Sequence, residues 1–127
     1  MKKAQDYIDD ANAVVPRVTT DEAIEIHARG EAVFIDVRDS NSLRQTGTIA
    51  DAHHVPRGMV ELSADPESEF YKPFFKKDAH ICIVCGAGLM AAMAGKTLTE
   101  MGYKNVTNVG GMKAWKDAGG PVDPLES

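Results

Sequence analysis

Apolar and polar positions fall along this chain in blocks that predict strands and helices in alternation. Ala32-Val33-Phe34-Ile35 is an unbroken apolar run ended by Asp36, and Ile81-Cys82-Ile83-Val84-Cys85 is a second. Runs of this kind predict strands buried on both faces, as in a parallel sheet. Asn105–Val109 predicts another strand, and His53-His54-Val55 a short one ahead of Pro56. Helical patterns lie between them. Thr19 is followed three residues later by Glu22, a capping-box signature, and the helix it opens runs to about Arg29 and stops at Gly30. From Leu89 to Met101, the residues Met90, Met93, Ala94, Thr97, Leu98 and Met101 form one amphipathic stripe. Gly102 suits the position after that helix, with Tyr103 folding back over its last turn. Shorter helical segments are expected at Ala4–Ala13, at Ser40–Thr46 before Gly47, at Met59–Ser63 and around Trp115, with an irregular connection over Pro66–Phe75. Strands alternating with helices predict an α/β fold with a mainly parallel central sheet flanked by helices, in a single domain over residues 1–127.

In parallel sheets the active crevice lies beyond the carboxyl ends of the strands. Asp36, Cys85 and Gly110 each stand at such an end. Cys85 is the residue with chemistry to offer. It closes a strand, opens the small-residue stretch Gly86-Ala87-Gly88 and precedes a helix N-terminus, where backbone N–H groups and the helix dipole stabilise a thiolate. A buried structural thiol is the competing reading for Cys85. Cys82, back on the strand, is expected in the core, with a resolving role against Cys85 as its alternative. Asp36 is expected to pair with Arg38 or a backbone N–H and so hold its strand end. Gly110-Gly111 reads as a strand-to-helix turn, and the methionine stripe as core packing, with Met90 also touching the site.

Composition narrows the classes. The chain has 127 residues, a formal net charge of -5 and a balance of 43% hydrophobic to 26% charged residues, which fits a globular domain large enough for its own core. The acidic balance, with Asp6, Asp9 and Asp10 early and Asp123 and Glu126 late, argues against nucleic acid or an anionic membrane as partner. No apolar run approaches the ~18 residues of a membrane span, and no apolar region follows Lys2-Lys3, so a cytoplasmic location with free thiols is expected. One C-x-x-C pair is a poor zinc site; His27, His53, His54 and His80 lack ligand spacing and read as structural or exposed. Neither a metal nor a cofactor is expected.

Taken together, the motifs resemble those of the rhodanese family. Phe34-Ile35-Asp36-Val37-Arg38 is similar to its apolar strand with D-x-R. Gly47-Thr48-Ile49-Ala50-Asp51-Ala52, with His54-Val55-Pro56, is similar to its G-H-I-P-G-A…P segment. Gly102-Tyr103 with Val106, and Gly110-Gly111 with Trp115, fit its G-Y-x-x-V and G-G-x-x-x-W patterns. The likeness spans about residues 15–121, and Pro56-Arg57-Gly58-Met59 with Asp65-Pro66-Glu67-Ser68 is similar to a bacterial single-domain subgroup.

The resemblance implies a sulfurtransferase in which Cys85 takes sulfur from a donor such as thiosulfate and passes it, as a persulfide, to cyanide or a thiol. It implies that backbone N–H groups of Gly86, Ala87, Gly88, Leu89, Met90 and Ala91 cradle the substrate sulfur. Asp36, Arg38 and Arg57 are candidate supporting residues. The chain departs from the family where Met90 replaces a frequent loop arginine, Ser42 a frequent glutamate and Thr48 a histidine. If the arginine and glutamate pair in relatives, their joint loss is a coherent double replacement. The loss of the arginine removes a cation, which weakens the case for dianionic thiosulfate and leaves the donor open; Arg57 is a candidate substitute, against the reading that it is a surface arginine. Two alternatives use the same framework: a persulfide carrier to a protein acceptor, and a non-catalytic rhodanese-like binding or redox-sensing module. A phosphatase of related fold needs C-x5-R, and Ala91 stands at the arginine position.

Overall fold

The computed structural model describes residues 1–124; Glu126 lies outside them. In chain order the strands are β1 (Ala32–Asp36), β2 (Thr48–Ile49), β3 (His53–His54), β4 (His80–Cys85), β5 (Asn105–Gly111) and β6 (Val122–Asp123). The helices are α1 (Ala4–Val14), α2 (Thr20–Arg29), α3 (Ser40–Thr46), α4 (Val60–Ala64), α5 (Leu89–Glu100) and α6 (Met112–Asp117), with a 3₁₀ turn at Arg57–Met59. Strands β3-β1-β4-β5 form one parallel sheet, as the apolar runs predict, and β2 pairs antiparallel with β6 in a separate ribbon. Among the described residues, no helix is long and apolar enough to cross a membrane.

Successive side chains of the inner strands go to opposite faces of the sheet, so each apolar run feeds two cores. Ile35, Ile81 and Ile83 join Val15, Ala91, Ala94 and Leu98 on the face covered by α1 and α5. Phe34, Cys82 and Val84 join Ala23, Met112 and Trp115 on the face covered by α2 and α6. Gly95, in the middle of α5, costs helix stability but has a steric reason: a Cβ there would lie 2.9 Å from Val15 Cγ1. The end of α1 therefore docks directly on the α5 backbone, and the chain leaving it is held against the sheet.

Local signals specify most helix ends. Thr19 Oγ1 accepts the Glu22 N–H at 3.2 Å, and Gly30 ends α2 at φ 70. Past α5, Gly102 at φ 100 lets the Tyr103 N–H reach the Leu98 carbonyl at 3.1 Å, and Tyr103 Oη donates to the Ala64 carbonyl at 2.6 Å.

Two features differ from expectation. The β2–β6 ribbon is new; Gly47, at φ 74, lies so close to it that a Cβ would sit 2.7 Å from the Asp123 carbonyl oxygen. The Gly110-Gly111 pair is not a turn but the end of β5. A register shift between Ile83 and Val84 pairs Ile83 with Asn108 and Val84 with Gly110, so Val109 is an extra residue in β5. This bulge carries the strand on to pair Cys85 with Gly111, and α6 follows at once.

At the end of β1, Asp36 and Arg38 make a buried ion pair, 2.8 Å from Nη2 to Oδ2. Asp36 also accepts the Arg38 backbone N–H at 3.0 Å and Thr48 Oγ1–H at 2.8 Å, while Arg38 donates to Thr46 Oγ1 at 2.9 Å and to the Gly47 carbonyl at 2.9 Å. Both expected partners of Asp36 are thus present, and Thr48 has a structural use of its own. Replacing Asp36 by Asn leaves a buried guanidinium without its counter-charge, an error that costs about 3–5 kcal/mol. Denaturant unfolding of Asp36→Asn is expected to show that loss; a loss below about 1 kcal/mol, the scale of an exposed pair, would contradict it.

Candidate active site

Cys85 ends β4 in the middle of the sheet, and the chain then bends through Gly86, Ala87 and Gly88 into α5. Gly88 is at φ 92, a left-handed conformation that side-chain-bearing residues rarely adopt. With that bend the loop curls back over the sulfur. Cys85 Sγ accepts the Gly88 N–H at 3.0 Å and the Ala91 N–H at 3.3 Å. Backbone donors fixed in this way interact with negative charge on the sulfur without further rearrangement.

The loop's outer wall is β5. A Cβ on Gly111 would collide with the Gly86 carbonyl, so the bulged strand end and the loop touch backbone to backbone. Asn108, fully buried, joins them by its side chain. Its Nδ2 donates to the Gly88 carbonyl at 2.9 Å and its Oδ1 accepts the Gly110 N–H at 2.8 Å. Those two partners also fix the amide's orientation, since one can only accept and the other only donate.

The same residue tethers the chain between α1 and α2. Asn108 N–H donates to the Pro16 carbonyl at 2.9 Å, and the Val18 N–H donates to the Asn108 carbonyl at 3.2 Å. Arg17, between those contacts, is thereby laid against the loop, with Nη2 at 3.5 Å from the Ala87 carbonyl oxygen. Neither Asn108 nor Arg17 is marked by the sequence as a site residue.

The expected site residues are distributed as follows. Gly86, Ala87 and Leu89 are exposed at the loop mouth, whereas Gly88 and Ala91 are buried against Cys85. Met90 is half-buried and packs against the core on the α5 face. Arg38 borders the site from the far side. With Gly86, Thr46, Met112, Lys113 and Lys116 it lines a cavity of about 410 Å³. Arg57 is not brought to the loop: it pairs with Glu61 at 2.9 Å and donates to Thr97 Oγ1 at 3.1 Å, one turn along α4 and on the flank of α5.

The two cysteines have different surroundings. Burial pushes the Cys82 thiol up to about 12, and among the described residues its sulfur has one hydrogen-bond contact, to His80 Nε2 at 3.6 Å. Burial, and then the nearby Arg29, lower the His80 pKa, so His80 gives Cys82 no cationic support. The remaining histidines have structural partners: His27 meets the Ala50 carbonyl and the Phe34 and Trp115 rings, His53 stacks on Phe74, and His54 meets the Arg38 carbonyl. Among the described residues, no group of three or more His, Cys, Asp or Glu side chains is placed to hold a metal ion.

Comparison with known proteins identifies the family. A family model described as "Rhodanese-like domain" matches residues 19–118. The chain is 33% identical over 93 residues to a Schizosaccharomyces pombe protein named "Putative thiosulfate sulfurtransferase, mitochondrial"; the match covers 67% of this chain and 63% of that relative. The chain thus spans less than two thirds of that relative's length. It is 31% identical over 92 residues to Bacillus subtilis "Putative sulfurtransferase YtwF", covering 72% of this chain and 81% of the relative. Among solved structures, a protein of unknown function from Rhodopseudomonas palustris CGA009, described as a possible tyrosine phosphatase, superposes with a TM-score of 0.92 at 36% identity over 97% of this chain and 96% of its own.

Two measurements check the site. Native protein treated with an alkylating reagent at neutral pH is expected to label at Cys85 and to leave Cys82 unmodified until the chain unfolds; faster labelling of Cys82 would contradict the contrast. Asn108→Asp keeps the acceptor for Gly110 but loses the donor to Gly88 and adds a negative charge behind the loop. It is expected to lower stability by about 3–5 kcal/mol and to slow Cys85 labelling several-fold; unchanged labelling would show that the amide does not position the loop.

Proposed function

We propose that this chain, which belongs to the rhodanese-like domain family, is a sulfurtransferase that carries sulfane sulfur as a persulfide on Cys85. The observation that supports this most is the pair of backbone N–H groups held on Cys85 Sγ by a loop braced against β5. Thiosulfate is the donor considered first, by analogy with the S. pombe relative's name.

The reaction proceeds by two displacements. Cys85 thiolate attacks the outer sulfur of the donor; a new S–S bond forms, the donor's own S–S bond breaks, and its electron pair leaves with sulfite. The terminal persulfide sulfur then sits in the cradle of N–H groups from Gly86 to Ala91 and is stabilised as an anion by fixed donors. A thiolate or cyanide attacks that terminal sulfur, and the electron pair of the cleaved S–S bond returns to Cys85 as thiolate. No external oxidant or reductant is consumed. The cavity beside Gly86 gives reactants room on one flank; of its two lysines, Lys113 pairs with Asp117 at 2.6 Å and Lys116 with the Thr46 carbonyl at 3.0 Å.

Phosphate-ester hydrolysis, raised by the description of the R. palustris structure, fits the residues less well. The loop arginine that would hold a phosphate is absent, and the residue in its place, Ala91, gives its N–H to the sulfur. A persulfide carrier serving a protein acceptor uses the same first displacement and differs only in the second.

Steady-state kinetics with thiosulfate and cyanide test the scheme. Parallel double-reciprocal lines are expected, because sulfite departs before the acceptor reacts, and Cys85→Ser is expected to abolish turnover. Intersecting lines would require a ternary complex and contradict the two-step scheme, as would sulfur transfer that survives in Cys85→Ser.

A further inference from the structure

Another cation lies against the loop from outside it. Met90 packs toward the core and Arg57 is spent on Glu61, so neither brings charge to the mouth. Arg17 does. A Cβ placed on Gly88 would lie 2.5 Å from Arg17 Nη1, 2.8 Å from Cζ and 2.9 Å from Nη2, and one on Gly110 would lie 3.1 Å from Nη2. The guanidinium thus rests in a seat between two glycines with positive φ, one in the Cys85 loop and one in the β5 bulge. A side chain at Gly88 would displace it, and one at Gly110 would crowd it.

The seat is preorganised. Backbone hydrogen bonds on both sides of Arg17 tie it to Asn108, and Val15, two residues earlier, is locked onto Gly95. The charge is also uncommitted. Among the described residues no carboxylate forms an ion pair with Arg17, and its one hydrogen bond is the long 3.5 Å contact to the Ala87 carbonyl. An exposed guanidinium ordinarily extends into water; this one lies over glycine backbone with most of its fork of donors still free. Gly88, against which it rests, gives its own N–H to Cys85 Sγ.

We propose that Arg17 and the Gly86–Gly88 loop form an anion subsite that takes the negatively charged end of the sulfur donor, the sulfonate oxygens in the case of thiosulfate. The planar fork presents paired donors to two oxygens of such a group while its sulfane sulfur faces Cys85. Arg17 therefore selects anionic donors over neutral ones. The identity of the anion rests on the sulfurtransferase reading; the subsite itself does not.

Two arms separate those claims. In the first, amide chemical shifts of Cys85→Ser protein are followed during titration with thiosulfate or sulfite at constant ionic strength. Saturable shifts are expected at Gly88 and Gly110, with the dissociation constant raised about tenfold or more in Arg17→Ala/Cys85→Ser and less in Arg17→Lys/Cys85→Ser. Absence of saturable binding, or equal binding with and without Arg17, overturns the subsite whatever the protein catalyses. In the second arm, reaction of intact Cys85 is timed by intact mass with two donors. With thiosulfate, displacement of sulfite leaves a persulfide; with a neutral organic trisulfide, attack on a sulfur atom expels one thiolate or persulfide fragment and leaves a Cys85 mixed di- or trisulfide. Arg17→Ala is expected to slow the thiosulfate reaction about tenfold, with the effect shrinking as salt rises, and to change the trisulfide rate less than about twofold. Arg44→Ala, which removes an exposed arginine on α3, is expected to change neither rate. Equal slowing with both donors overturns the specificity role. Binding in the first arm with no persulfide from thiosulfate and no Cys85 adduct from the trisulfide would uphold the subsite and refute sulfur transfer instead.

Discussion

The fully buried amide of Asn108 joins the Gly88 carbonyl to the Gly110 N–H, while its backbone pairs with Pro16 and Val18. Three chain segments far apart in sequence therefore share one anchor: the loop after β4, the bulged end of β5 and the link between α1 and α2. Buried polar atoms of this kind are costly unless partnered, and here both the amide nitrogen and oxygen are partnered by groups that must stay in place for the loop to curl over Cys85. The bulge at Val109 is part of the same constraint, because it brings Gly111 level with Cys85. The arrangement of backbone donors on the sulfur and the seat of Arg17 both follow from where this amide stands.

The contrast between the two cysteines shows how little separates an inert thiol from a candidate nucleophile. They lie on one strand, yet Cys82 enters the core beside Phe34 and Val84, where charge has no compensation, and its pKa rises to about 12. Cys85 is also buried, but its sulfur meets two N–H groups. Exposure alone would rank them as equals. What distinguishes them is the polarity of the nearest backbone, which the glycines of the loop turn inward.

Much of this was legible in the chain. Two apolar runs identified β1 and β4, their last residues identified Asp36 and Cys85, and the D-x-R motif anticipated the buried pair with Arg38. These signals are local: a periodicity, a cap, a run of small residues. What stayed hidden was non-local. Arg17 sits in a short connection with no periodicity and meets Ala87 across 70 residues of sequence. Asn108 reads as one polar residue in a short strand, and its importance appears only when the register shift sets it against Gly88. The β2–β6 ribbon escaped for the same reason, since Thr48-Ile49 finds its partner only at Val122-Asp123, far along the chain. Arg57, which the chain offered as a replacement cation or, more readily, as a surface arginine, takes the second role and is satisfied by Glu61 one helical turn away.

The proposed transfer holds sulfur on Cys85 between its two displacements. Protein treated with thiosulfate and then digested with trypsin would yield the peptide from Asp78 to Lys96, which carries both cysteines. Fragmentation between Cys82 and Cys85 assigns the added mass to one of them. The account predicts a reductant-sensitive gain of about 32 Da, one sulfur, on the fragment containing Cys85 and none on Cys82. An added sulfur on Cys82, or no added sulfur while transfer to cyanide proceeds, would contradict it.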